Sequence, residues 1–169
     1  MLTLDLVRLR WERSLPVEVS VAADADLWAD SGLTFAGPVE VRATASVTAD
    51  GGVLIRGRWD AGVRYECGRC MDELTVAHSH DLTLVYMPVD GWESEDPDVR
   101  TIGAGERVLD FGEALREEVL LELPRYVLPP EDENERCSRC GRPTSEFHRR
   151  TDRKGVDPRW AKLSALESE

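Results

Sequence analysis

The residues of this chain whose type and spacing most directly imply chemistry are its four cysteines, which fall in two C-x-x-C pairs: Cys67 with Cys70, and Cys137 with Cys140. A C-x-x-C turn lets two thiolates converge on one ion while backbone N–H groups support the sulfurs, and two such turns complete a tetrahedral four-thiolate zinc shell. Gly68 and Gly141 supply backbone freedom near each turn. The 66 residues between the pairs exceed the spacing of a compact ribbon, so a shared structural zinc would pin the C-terminal segment to the first turn. Separate or partial metal sites, metal-free thiols and a redox dithiol are the alternatives. Thioredoxin-type motifs follow a strand and open a helix, whereas Cys70 leads into another alternating run and Cys140 into a loop-like stretch. Four matched thiolates close the shell, so the expected zinc is structural rather than catalytic. His148 lies near Cys140, but four thiolates leave no place for it.

The second chemical signal is charge. The 169 residues carry a formal net charge of −12, which repels nucleic acid and anionic membrane on average. From Arg136 to Lys162, however, nine Lys/Arg stand against three Asp/Glu, a local balance of +6 that leaves −18 for the rest. Arg136, Arg139, Arg142, Arg149, Arg150, Arg153 and Lys154 are candidate phosphate contacts, and Arg159, placed to cap or position the terminal helix, joins Trp160 as a further candidate RNA- or partner-binding residue. Phe147, His148 and Trp160 are candidate stacking groups. A solvated charge run is the competing reading of the same stretch.

These groups need elements to position them. Leu2/Leu4/Leu6 and Val17/Val19/Val21 read as two short half-buried strands broken at Pro16. From Val39 to Thr48 alternation is strict, with Val39, Val41, Ala43, Ala45 and Val47 on one face. Asp50 to Gly52 is a turn signal, and the period continues through Ile55, Gly57, Trp59, Ala61, Val63, Tyr65 and Cys67, opposed by Arg56, Arg58, Asp60, Arg64 and Glu66. After Cys70 alternation resumes from Leu74 to Tyr86, with His78 and His80 on the face of Leu82 and Leu84, tolerated in the core or displaced by a bulge. Residues 88–107 read as a Pro-, Gly- and acid-rich loop. Asp110 with Glu113 resembles a capping box for a helix near residues 110–123, ended by Pro124. Asp157-Pro158 opens a short amphipathic helix carrying Trp160, Leu163 and Leu166. Trp11, Trp28, Trp59 and Trp92 are expected as core or partly buried anchors.

The expected fold is therefore α+β, mainly an antiparallel sheet or partly closed barrel with one packed helix and a zinc-clamped C-terminal segment. Residues 1–125 would form the β domain, and 126–169 a basic segment bearing the second C-x-x-C and the terminal helix, docked on the first. No signal-peptide pattern opens the chain and no run approaches about 18 apolar residues, so the expected location is cytoplasmic, without membrane contact.

The C-x-R-C turn at Cys67 to Cys70, "REEVLLELP" at Arg116 to Pro124, "CSRCG" at Cys137 to Gly141 and "DPRWAKLSAL" at Asp157 to Leu166 occur in an order that resembles the YceD/DUF177 family across residues 1–166. The resemblance implies a bacterial and plastid family associated with accumulation of large-subunit ribosomal RNA, hence with ribosome assembly. The function expected is that of a non-enzymatic factor that promotes accumulation of 23S rRNA and assembly of the large subunit. Its partner would be the 23S rRNA precursor or a large-subunit ribosomal protein, with no small-molecule substrate. A zinc-stabilised protein–protein adaptor acting on rRNA indirectly is the first alternative. An rRNA-processing enzyme is the second, although the sequence offers no evident nucleophile, acid–base pair or open metal position.

Overall fold

The computed structural model describes residues 2–69, 71–89, 99–103, 105–129, 131–138, 140, 141 and 143. They fall into two compact units: residues up to Tyr65 together with Glu73–Tyr126, and Glu66–Asp72 together with those from Val127 onward.

The first unit begins with β1 (Thr3–Asp5) and turns at once into α1 (Leu6–Glu12). The leucines that read as a strand are split between the two, because Leu6 and Leu9 at helical spacing are the buried pair. Asp5 caps α1 by accepting from the Arg8 N–H at 2.9 Å, and Arg8 pairs with Glu12 one turn on at 2.7 Å. The helix stops at Arg13, whose φ of 68° is left-handed and whose N–H bonds the Leu9 carbonyl. There β2 (Ser14–Val21) starts, followed by a 3-10 turn at Asp26–Trp28 and β3 (Thr34–Phe35). Pro16 does not break β2, because β2 lies at the edge of its sheet, where a missing N–H is tolerated.

The central pair is β4 (Val39–Val47) and β5 (Val53–Glu66), antiparallel in the register Val41↔Trp59 and Ala45↔Ile55. The turn between them uses Gly51 at φ 80°. Gly57, opposite Ala43, is required for a different reason. A Cβ there would collide with the Arg42 carbonyl oxygen and the Ala43 Cα, so the strands could not approach. Next in the sheet come β6 (Glu73–Pro88) and β7 (Val99–Ile102), then β8 (Val108–Asp110) and α2 (Gly112–Glu122). The six-stranded sheet runs β2-β4-β5-β6-β7, with β3 on the far half of β5, and β1 pairs with β8 separately.

Three expectations about the fold are corrected. The sheet is mixed, because β7 arises inside the stretch read as a loop and pairs parallel to β6, with Val85 opposite Val99. It is open, with β2 and β7 at its ends, and does not close into a barrel. There are two helices among the described residues, not one. The terminal helix expected from Asp157 lies outside the described residues.

One face of the sheet is mostly apolar: Val17, Val39, Val41, Ile55, Trp59, Val63, Leu82, Leu84 and Tyr86 are buried. Leu115 and Val119 of α2 and Phe111 just before it join this core, each large apolar side chain contributing about 1.5–3 kcal/mol by leaving water. The Asp110 side chain receives the Gly112 N–H at 2.9 Å, satisfying a donor at the start of α2, although not in the box pattern with Glu113. Arg116 donates to the carbonyls of Leu27 and Ala29, which ties α2 to the 3-10 turn. No helix among the described residues is long and apolar enough to cross a membrane.

Candidate nucleic-acid interface

The second unit contains the cysteine turns. Cys67 is fully buried, and its turn is closed by the Met71 N–H donating to the Cys67 carbonyl at 2.9 Å and by the Cys67 N–H donating to the Asp72 carbonyl. The Arg69 N–H approaches the Cys67 sulfur at 3.4 Å. Cys137 is buried too, and the Gly141 N–H closes its turn on the Cys137 carbonyl at 2.8 Å. Cys140 is half-buried, and Cys70 lies outside the described residues. The two turns are joined through the chain that follows Val127. Cys67 bridges Val127, the Gly68 N–H donates to the Val127 carbonyl at 3.0 Å, and Arg69 pairs with Glu131 at 2.7 Å.

The expected zinc is corrected here. Among the described residues no three His, Cys, Asp or Glu side chains come together in a group that could hold a metal ion. A structural zinc cofactor and a zinc-clamped tail are thus not what the described residues form; of the four expected ligands Cys67, Cys70, Cys137 and Cys140, Cys70 lies outside them. Backbone hydrogen bonds and the Arg69–Glu131 pair make the link that the metal was expected to make.

Of the basic residues singled out in the sequence, Arg136 is described. It is exposed, and its guanidinium donates to the Gly141 carbonyl at 3.0 Å, so it also holds the second cysteine turn. Arg139, Arg142, Arg149, Arg150, Arg153, Lys154, Arg159 and Trp160 lie outside the described residues.

In the first unit, the sheet face opposite the core carries three clustered arginines among carboxylates that include Glu18, Glu40, Asp60 and Asp81. Successive residues of a strand point to opposite faces, so burial of Val41, Ile55 and Trp59 turns Arg42, Arg56 and Arg58 outward. The β2–β4–β5 register then sets Glu18, Arg42 and Arg58 in one row and Pro16, Thr44 and Arg56 in the next, about 7 Å along the strands. Arg42 and Arg58 face each other directly, an arrangement of like charges that disfavours the sheet by a few tenths of a kcal/mol. Carboxylates relieve it loosely: Arg42 to Asp60 at 3.6 Å and Arg58 to Asp81 at 4.0 Å, with the arginine side chains 68% and 59% exposed. Such exposed pairs are worth about 0–1 kcal/mol and exchange readily for another anion. Arg56 has no carboxylate partner among the described residues. The sequence shows these arginines on the polar side of their strands, but only the register brings three of them together.

The core side of β5 and β6 holds a column of rings. Trp59 stacks on His80 at 4.9 Å, His80 on His78 at 5.8 Å, and the Tyr65 hydroxyl lies 3.1 Å from His78 Nε2. Burial, and then the neighbouring His80, hold the His78 imidazole below its ordinary range, while burial pushes the Tyr65 phenol up. Glu122 of α2 closes the column on His80 Nδ1 at 3.2 Å. The histidines are thus tolerated on the core side of the sheet and not displaced by a bulge, and His80 links the sheet to the end of α2.

No curated protein and no solved structure matches the chain. A family model does, over residues 55–167, about two thirds of the sequence: the one described as large ribosomal RNA subunit accumulation protein YceD. The matched stretch takes in the arginine-bearing strand β5, the ring column, α2 and both cysteine turns, and the chain belongs to the YceD family.

Proposed function

We propose that the protein promotes accumulation of 23S rRNA by binding the precursor RNA directly, through the outer face of β4 and β5. Members of the YceD family are non-catalytic factors, and a role in ribosome biogenesis accords with membership. The observation that carries the reading is the cluster of Arg42, Arg56 and Arg58, exposed and held in register on the sheet. Ion pairing to phosphate releases counterions, an attraction that a local cluster supplies even on a chain of net charge −12. The basic tail from Arg136 to Lys162 is proposed as a second contact, adding phosphate pairs through its tether to the sheet once the sheet is engaged. A large-subunit ribosomal protein, the other partner considered, fits this face less well, since a basic protein would meet Arg42, Arg56 and Arg58 with like charge.

The test is fluorescence anisotropy of purified protein with labelled 23S precursor fragments at several salt concentrations. The reading expects saturable binding that weakens linearly in log affinity against log salt. Absence of binding at low salt would overturn it.

A further inference from the structure

We infer that α1 and the turn after it extend the arginine rows into a seat for an unpaired RNA strand, with one base stacked on Trp11 and phosphates at Arg10 and Arg13. This rests on the RNA-binding reading above and deepens it. It concerns a part of the chain that the family match, which begins at Ile55, does not cover.

Trp11 is 88% exposed, while Trp28 and Trp59 are buried, so one of the expected anchors stands in water instead. A large ring left out of a core on a helix whose other face is fully buried is a surface with something to cover it. Val7, one turn earlier, is 49% exposed, and Val7, Trp11, Asp5, Arg8 and Arg10 line an open groove of about 450 Å3. Charge selects the occupant. Arg8 is engaged by Glu12 and Asp5 caps the helix, so their charges are met within α1. Arg10 and Arg13 have no carboxylate partner among the described residues. An aromatic ring flanked by uncommitted cations is the pairing that binds single strands, the ring taking a base and the cations the backbone.

Arg13 adds a second observation. It occupies a left-handed position, φ 68°, at which glycine is the ordinary residue and any side chain is strained. Its carbonyl accepts the Val47 N–H at 3.2 Å, which fixes it at the end of β4. Along the outer face the rows read Glu18/Arg42/Arg58, then Pro16/Thr44/Arg56, then Ser14/Ser46/Leu54, and Arg13 lies beyond them at the level of Val47, leading back to Trp11. The acidic row Glu40/Asp60 lies at the opposite end, next to Arg42 and Arg58. A row without cations separates Arg56 from Arg13, so the track of cations from the sheet to α1 is interrupted.

The experiment uses the full chain with Trp92 and Trp160 replaced by Phe, so that Trp11 is the exposed reporter beside buried Trp28 and Trp59. Titration with an oligouridylate should quench its emission saturably, whereas inorganic polyphosphate should bind without the quench. In the otherwise native chain Trp11→Ala should weaken oligouridylate binding about fivefold to a hundredfold, the range for loss of one stacked base. Arg13→Gly should weaken it by a few-fold with stability unchanged or raised, a result that misfolding cannot produce. Binding without quench, or Trp11→Ala binding as tightly as wild type, would overturn the stacked base while leaving RNA binding by the sheet intact. Loss of a protein partner from Trp11→Ala at unchanged RNA affinity would overturn it in favour of a protein contact. Failure of the wild type to bind RNA at all would overturn both readings.

Discussion

Replacing Arg42, Arg56 and Arg58 together by glutamine removes the basic rows while keeping the length and polarity of each side chain. On a single strand, each phosphate neutralised contributes about 0.7 to the slope of log affinity against log salt. If all five arginines of the track, including Arg10 and Arg13, meet phosphates, the wild-type slope is about −3.5 and the triple variant's about −1.4. Between 50 and 200 mM salt, affinity should then fall about 130-fold for the wild type and about sevenfold for the variant. Should Asp60 and Asp81 keep Arg42 and Arg58 from the RNA, only Arg56 counts and the slopes differ by about 0.7. The fold itself should not suffer. The substitutions lie on the exposed face and remove both the Arg42–Arg58 repulsion and the loose pairs to Asp60 and Asp81, so stability should stay within about 0.5 kcal/mol. Anisotropy titrations at four salt concentrations, beside urea unfolding of both proteins, decide the matter. Identical slopes for wild type and triple variant, with both folded, would refute the assignment of this face.

Gly57→Ala should cost about 1–3 kcal/mol in urea unfolding, because the new methyl collides with the β4 backbone; a loss below about 0.5 kcal/mol would show that the strands do not approach as closely as described. Arg69→Glu should speed amide hydrogen exchange at Gly68 and Asp132 and leave the β4–β5 amides protected, and the double swap with Glu131→Arg should restore it. Uniform acceleration across the sheet would contradict a local link. His78 titrates below its ordinary 6.5 in the folded chain, so as pH falls the unfolded chain takes up the proton first. Stability should accordingly be full above about pH 6.5, decline as pH drops toward the folded value, and level off below it, whereas His78→Gln should flatten that decline. Urea midpoints at pH 8 and pH 5 that fall equally in both proteins would reject the role given to His78.

Much of the first unit could be read from the sequence because burial on one face writes itself as period two. Val39 to Val47 and Ile55 to Tyr65 are strands for that reason, and the Asp50–Gly52 turn joins them as the residue types require. What alternation cannot report is hand and partner. The parallel pairing of β7 with β6 involves four residues, too few for a period to emerge from an acidic loop. Across β1 and α1, Leu2, Leu4 and Leu6 keep period two while Leu6 and Leu9 stand at helical spacing, and the Asp5 cap decides for the helix from Leu6 onward. The candidate site divides in the same way. The exposure of Arg42, Arg56 and Arg58 follows from alternation, but their clustering depends on the register across β4 and β5, and Trp11 looks like any core tryptophan until its helix is packed. The cysteine spacing, the most legible feature of all, points to zinc, whereas among the described residues the same turns are closed by backbone hydrogen bonds and joined through an ion pair.

The most direct measurement is recovery of the tagged protein from cell extract with and without ribonuclease, reading co-purified RNA and proteins together. Direct binding predicts that large-subunit precursor RNA is enriched, that its associated proteins are lost on ribonuclease treatment, and that the Arg42/Arg56/Arg58 triple variant loses both. Recovery of one partner protein, resistant to ribonuclease and equal in the variant, with no precursor RNA enriched, would contradict it and make the effect on rRNA a relayed one.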